Sequence, residues 1–180
     1  MNTDTFSLKH IQLEPAPELK PYIHFYLYFE VPLENRVLYI PADRRQVFMN
    51  IFSGDVNIIN ENKNYIQERH VIRSAFTEAF RIQFTGQHFK CLGAQFKEQG
   101  LSSITGQHSA NFVNCFTPIV DIFGLPSVNL LKNLAQQVDT PERLKAIYDE
   151  FFLNQLKQNN KRYNHAFQQI CEFAKKRNGF

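Results

Sequence analysis

Six histidines, His10, His24, His70, His88, His108 and His165, are the side chains best able to hold a metal or move a proton, and they fall singly along the chain. A metal site on strands pairs two histidines one residue apart, so that both imidazoles leave the same face, and adds a carboxylate and a third histidine. No His-x-His occurs, and no metal ligand is assigned. Cys91, Cys115 and Cys171 are odd in number and lack metal-ligand or redox spacing, which reads as reduced core cysteines in a cytoplasmic protein. The chain carries neither a Gly-x-Ser-x-Gly elbow nor a phosphate-binding glycine loop. No catalytic residue and no cofactor are therefore expected, and an enzyme is the weaker reading.

Binding chemistry has more to work with. Arg44-Arg45 follows Pro41-Ala42-Asp43 and presents two guanidinium groups that suit bidentate contact with an anion, against the plainer reading of a solvated turn. Asn50 interrupts an apolar strand, so that it either finds a hydrogen-bond partner in a neighbouring segment or faces a pocket. Gln83 and Gln95 raise the same question. These five residues are the candidate ligand-binding set.

The elements that must position them belong to an ordinary globular chain of 180 residues, 43% hydrophobic and 21% charged. With 18 Phe, 7 Tyr and no Trp, aromatic packing must dominate the core. A net charge of +3 is too small for a nucleic-acid surface. Met1–Thr5 lacks the features of a signal peptide, and no apolar run is long enough to span a membrane. A cytoplasmic location with no membrane contact is expected.

Strand signals recur at Ile23–Val31, Val37–Ile40, Gln46–Phe52, Val56–Ile59, Tyr65–Gln67, Val71–Ala75, Phe80–Phe84 and Lys90–Phe96. Ser53-Gly54-Asp55 reads as a hairpin turn, and Thr85-Gly86-Gln87 as a turn separating strands. Past Phe96 the pattern turns helical. Gly100–Gly106 holds a short helix, Thr117 caps and Pro118 opens a helix over Ile119–Phe123, Ser127 caps a helix with Leu130, Leu131, Leu134, Ala135 and Val138 on one face, and Thr140-Pro141-Glu142 opens the next. Tyr163, Ala166, Phe167, Ile170, Cys171 and Ala174 then form an apolar stripe on a separate helix over Lys161–Arg177, whose basic end matches the macrodipole. Nothing follows to cover that stripe, and the polypeptide is expected to continue beyond Phe180. Strands first and helices second predict an α+β fold, a small β-barrel or sandwich followed by a C-terminal helical segment.

Three stretches resemble the N-terminal, sensory domain of AraC-type transcriptional regulators. They are Pro41-Ala42-Asp43 with the strand Gln46–Phe52, then Arg81–Phe84 with Cys91–Phe96, and then Gly100–Gly106 with Asn114 and Val120–Gly124. The likeness runs from about Pro15 to Leu156. It departs from the family at Ser74-Ala75-Phe76, where a glycine is usual, and at Phe96–Gly100, where Phe-x-Pro-Gly-Gly is common. The resemblance implies a cupin-like, jelly-roll sensory barrel over residues 1–110, a helical dimerisation or relay segment over 111–157, and a linker with the first helix of a DNA-binding unit over 158–180. It implies an unknown small-molecule effector and DNA contact only through the full-length protein, while the apolar stripes at Leu130–Val138 and Leu144–Phe152 point separately to a homodimer paired through them. The alternative is a stand-alone cupin-like small-molecule-binding protein or enzyme.

Overall fold

The computed structural model describes residues 9–32, 37–60, 63–66, 69–108, 111–137 and 140–178, with side-chain surroundings given over 10–160 outside 60–68. Strand β1 (Lys9–Leu13) pairs antiparallel with β2 (Ile23–Pro32). Between them Pro15-Ala16-Pro17 turns the chain into one turn of 3-10 helix, Pro17–Leu19, as proline at a helix start favours. β1 has only two apolar residues, Ile11 and Leu13, among Lys9, His10 and Gln12, which is why its sequence carries no clear strand signal.

Strands β3 (Val37–Ile40), β4 (Val47–Asn60), β5 (Lys63–Ile66), β6 (His70–Arg73), β7 (Phe80–Phe96) and β8 (Phe116–Pro118) complete an eight-stranded sheet with the order β1-β2-β7-β4-β6-β8. β3 joins the far end of β7, and β5 the far end of β4. The two long strands fold the sheet on itself. Between the pairs Ser53–Lys90 and Asp55–Thr85, the single residue Gly54 stands opposite the segment Gly86–Phe89. Extra residues on one strand bend a ladder sharply.

Both the expected hairpin turn at Gly54 and the expected turn at Gly86 are therefore bends inside continuous strands. Gly54 has φ of 77°, and a Cβ there would lie 2.8 Å from the His88 carbonyl oxygen. Gly86 has φ of 108° and approaches Gly54. The glycines answer a backbone need that a turn and a bulge share. The result is a small antiparallel sandwich of jelly-roll type followed by helices, the α+β fold expected.

Side-chain alternation along β2, β4 and β7 gives this sheet two different faces. Val31, Ile51, Val56, Ile58, Phe80, Phe84, Phe89 and Cys91, joined by Phe76, come from both halves of the bent sheet and fill the space between them. The Phe76 and Phe80 ring centroids are 4.6 Å apart, and those of Phe84 and Phe89 4.7 Å. Burial pushes the Cys91 thiol up to about 12, consistent with an inert core cysteine.

The opposite face carries Tyr26, Tyr28, Phe48, Ile72, Leu92, Ala94 and Phe96 and is covered by helices α1 (Gly100–Thr105), α2 (Ile119–Phe123), α3 (Leu125–Gln136) and α4 (Pro141–Asn178). Phe48 is the centre of this layer, within 6.5 Å, centroid to centroid, of Phe123, Tyr148, Phe151 and Phe152. Full burial of one such ring contributes about 1.5–3 kcal/mol.

Three expectations about the helices need correction. Gly124, not Ser127, stands at the N-cap of α3, and Pro118, not Thr117, at that of α2. The helix begun at Pro141 does not stop before Lys161: α4 runs 38 residues to Asn178, because no glycine or proline interrupts the sequence after Pro141 and before Gly179. Finally, Leu144, Tyr148 and Phe152 are buried against the sheet and are not open to a second subunit. On α3 the exposed large apolar residues are Leu125, Leu130 and Leu134, whereas Val128, Leu131 and Ala135 are buried. Val138 lies outside the described residues, and the side chains of the stripe Tyr163–Ala174 lie outside those described.

Candidate functional site

Asn50 sits on the helix-covered face of β4, one ladder position beyond Phe48, and is completely buried. A polar side chain there requires partners. It has two, from elements distant in sequence. Its Nδ2 donates to the hydroxyl of Tyr148 on α4, and its Oδ1 meets Nδ1 of His70, the residue opposite it on β6. An amide oxygen only accepts, so His70 carries its proton on Nδ1 and keeps a lone pair on Nε2. Burial pushes the Tyr148 phenol well above its ordinary range, and it remains a neutral hydroxyl.

Above this chain of groups lies a cleft of about 260 Å³ between the sheet and α3–α4, lined by Asn50, Ile51, Phe52, Arg69, His70, Lys90, Lys132, Ala135, Gln136 and Leu144. Each charged side chain arrives from a different element. Arg69 precedes β6, with its carbonyl bound by the Ile51 amide (2.7 Å) and its guanidinium 3.0 Å from Asp55. Lys90 comes from β7, its Nζ 5.7 Å from the centroid of the Tyr28 ring, a cation–π arrangement. Lys132 comes from α3.

Burial, then the charges of Lys132 and Arg69, lower the His70 pKa to about 4. His70 is neutral at neutral pH. Its folded-state pKa lies below the ordinary value of 6.5, so the unfolded chain takes up a proton that the folded chain refuses as pH falls from about 6.5 to about 4. The stability this neutral histidine supports is complete above that window and lost through it. Discounted for partial exposure, the loss is expected to be about 1–2 kcal/mol. Urea-unfolding midpoints measured across this range would check it, and His70→Gln should flatten the profile.

The other sequence candidates lie elsewhere. Arg45 clamps its own loop: its Nε contacts both oxygens of Asp43 at 2.9 and 2.7 Å, and its amide donates to Oδ1 at 2.9 Å. Arg73 adds contacts to Asp43 at 3.1 Å and to the Arg45 carbonyl at 3.3 Å. Burial alone would raise the Asp43 carboxyl, but the hydrogen bonds from Arg45 and Arg73 outweigh it and hold it below its ordinary range. Arg44 is exposed on the same loop. Gln95 pairs across the sheet with Phe25 and Val47 and shares their face, away from the helices. Gln83 lies in the other half of the folded sheet, between Val37 and Asn57. Of the five candidates, only Asn50 lines the cleft.

A larger, open groove of about 640 Å³ between α1 and α4 is lined by Tyr22, Gln99, Ser102, Ser103, Gly106, Gln107, His108, Leu156, Asn159 and Asn160. None of its lining residues is Asp, Glu, Lys or Arg. The smaller cleft is the stronger candidate, because a buried polar chain and three cations converge on it. Among the described residues no three His, Cys, Asp or Glu side chains come together as a metal-holding group, and no helix is long and apolar enough to cross a membrane.

Solved structures similar to part of this chain include the cupin domain of Cnp3 from Schizosaccharomyces pombe, at 12% identity over 55% of this chain and 67% of that one, with a TM-score of 0.38. The plu4264 protein of Photorhabdus luminescens shows 10% identity over 56% and 87%, with a TM-score of 0.39. A protein with a double-stranded β-helix domain from Klebsiella pneumoniae shows 6% identity over 53% and 81%, with a TM-score of 0.37. These likenesses are partial and carry no functional argument. No curated protein matches the chain in sequence. A family match does cover the segment that builds the floor of the cleft and every one of the five sequence candidates: over residues 11–118, the chain belongs to the family described as Domain of unknown function (DUF6597).

Proposed function

We propose that this chain is the ligand-sensing domain of an AraC-type transcriptional regulator, with the cleft above Asn50 as its effector site and α4 as its relay. The reading rests on the resemblance of Pro41–Phe52, Arg81–Phe96 and Gly100–Gly124 to that family's sensory domain. The single observation that carries it is the Asn50–Tyr148 hydrogen bond, which ties the floor of the cleft to a helix running unbroken to Asn178. An effector that contacts Asn50, Lys132 and Gln136 touches β4 and α3 beside the seat of α4. It would bias any two arrangements in which that seat differs, as a sensor requires. The role is binding rather than catalysis, in the cytoplasm, with DNA read by parts of the protein outside these 180 residues. Pairing of two subunits through Leu125, Leu130 and Leu134 belongs to the same reading.

The coding sequence beyond Phe180 tests it at little cost. An in-frame pair of helix-turn-helix units is the expected finding, and a stop codon directly after Phe180 would sink the proposal. At physiological salt the chain alone is expected to show no sequence-selective DNA binding, and nanomolar selective binding would count equally against it.

A further inference from the structure

We infer that the cleft recognises a small carboxylate that also carries a hydroxyl group, an inference that rests on the cleft being the effector site. The lining charges are of one sign. Arg69, Lys90 and Lys132 contribute three cations, and none of the ten lining residues is acidic. Arg69 is already engaged by Asp55, and Glu30 stands across the ladder from Lys90. Lys132 is half-buried and makes no ion pair among the described residues. Like charges gathered in a partly desolvated cleft repel one another, and an anion relieves that repulsion while accepting charge-assisted hydrogen bonds.

The rest of the lining selects among anions. Ile51, Phe52, Ala135 and Leu144 offer apolar wall to a carbon skeleton, which inorganic phosphate lacks. About 260 Å³ suits a compact metabolite, below the size usual for drug-like ligands. The floor supplies the second feature. With its Nδ1 proton directed at Asn50, His70 presents the Nε2 lone pair, an acceptor that a ligand hydroxyl can meet and a second carboxylate cannot.

Matched probes test this. L-malate and D-gluconate each combine carboxylate with hydroxyl, and L-malamide and D-sorbitol are their neutral counterparts. Titration of the 180-residue chain at neutral pH, followed by the His70 imidazole resonances, is expected to show saturable shifts with at least one acid at millimolar concentration and none with its neutral counterpart. Lys132→Gln is expected to raise the dissociation constant about tenfold or more with the melting temperature of the free protein unchanged. Equal shifts with acid and neutral probes would overturn the anion inference and leave the cleft as the site. No shift with either acid on a folded chain would also overturn it. Acid binding that leaves His70 unmoved and ignores Lys132→Gln would place the ligand elsewhere and remove both the inference and the cleft reading.

Discussion

Replacing Asn50 with alanine is expected to cost the fold about 3–4 kcal/mol, because each of two polar groups loses its partner at roughly 1–3 kcal/mol apiece. The Tyr148 hydroxyl is fully buried and has no solvent to turn to. His70 Nδ1 loses its acceptor at the floor of the cleft. Tyr148→Phe is expected to cost less, about 1–2 kcal/mol, since the ring and its contacts with Phe48 remain and only the amide hydrogen bond is lost. The pair Asn50→Leu with Tyr148→Phe replaces both ends by apolar groups, and its total should fall below the sum of the single costs. Urea denaturation of the four proteins reads all of this. A cost under about 1 kcal/mol for Asn50→Ala would show that the polar chain holds nothing together.

Asn50 is also where the sequence was most informative about the site, and its partners show why it was not informative enough. A lone asparagine in the strand Gln46–Phe52 announces a buried hydrogen bond through its apolar neighbours alone. Its donors and acceptors announce nothing. Tyr148 lies in an apolar helical stripe and reads as core, 98 residues away. His70 is one of six scattered histidines, and Lys90 and Lys132 resemble any surface lysines. The cleft exists only because the bent sheet and two helices bring five distant segments together. Arg44-Arg45 was the more conspicuous pair in sequence, yet local spacing cannot tell a guanidinium aimed at a ligand from one that closes on Asp43 two residues earlier.

The fold divides in the same manner. Composition and periodicity place the strands before the helices, and the structure departs from that order at β8, which follows α1. The turn residues at Gly54 and Gly86 mark correctly where the chain changes direction. They do not reveal that both strands continue through the change, because that depends on the register of β4 against β7. Likewise the polar run Lys157–Lys161 resembles a linker, and the helix crosses it because no residue there opposes helix and Leu156 is still anchored.

The second large effect is expected at Asp149, the residue after Tyr148. Its Oδ1 accepts from the Ala16 amide and from the Tyr26 hydroxyl, both at 2.9 Å, and its Oδ2 accepts from Lys145 at 2.6 Å. Burial first, and then the Asp149 carboxylate, push the Tyr26 phenol far above its ordinary range, so Tyr26 keeps its proton and donates it to Asp149. Asp149→Ala strands that buried hydroxyl and a backbone amide together, an expected cost of about 3–5 kcal/mol. Asp149→Asn keeps an oxygen for both donors and gives up the Lys145 pair, which is worth about 1 kcal/mol or less at its partly exposed position. The contrast between alanine and asparagine, measured as urea-unfolding free energies, separates hydrogen bonding from charge; equal losses in the two variants would sink the assignment. Consecutive residues of α4 thus hold the helix to β4 through Tyr148 and to β2 and the N-terminal turn through Asp149. Only the first of these anchors reaches the cleft, so an effector can disturb one while the other keeps the helix seated. On the proposed sensory reading, α4 would pivot at its anchored turn rather than be released.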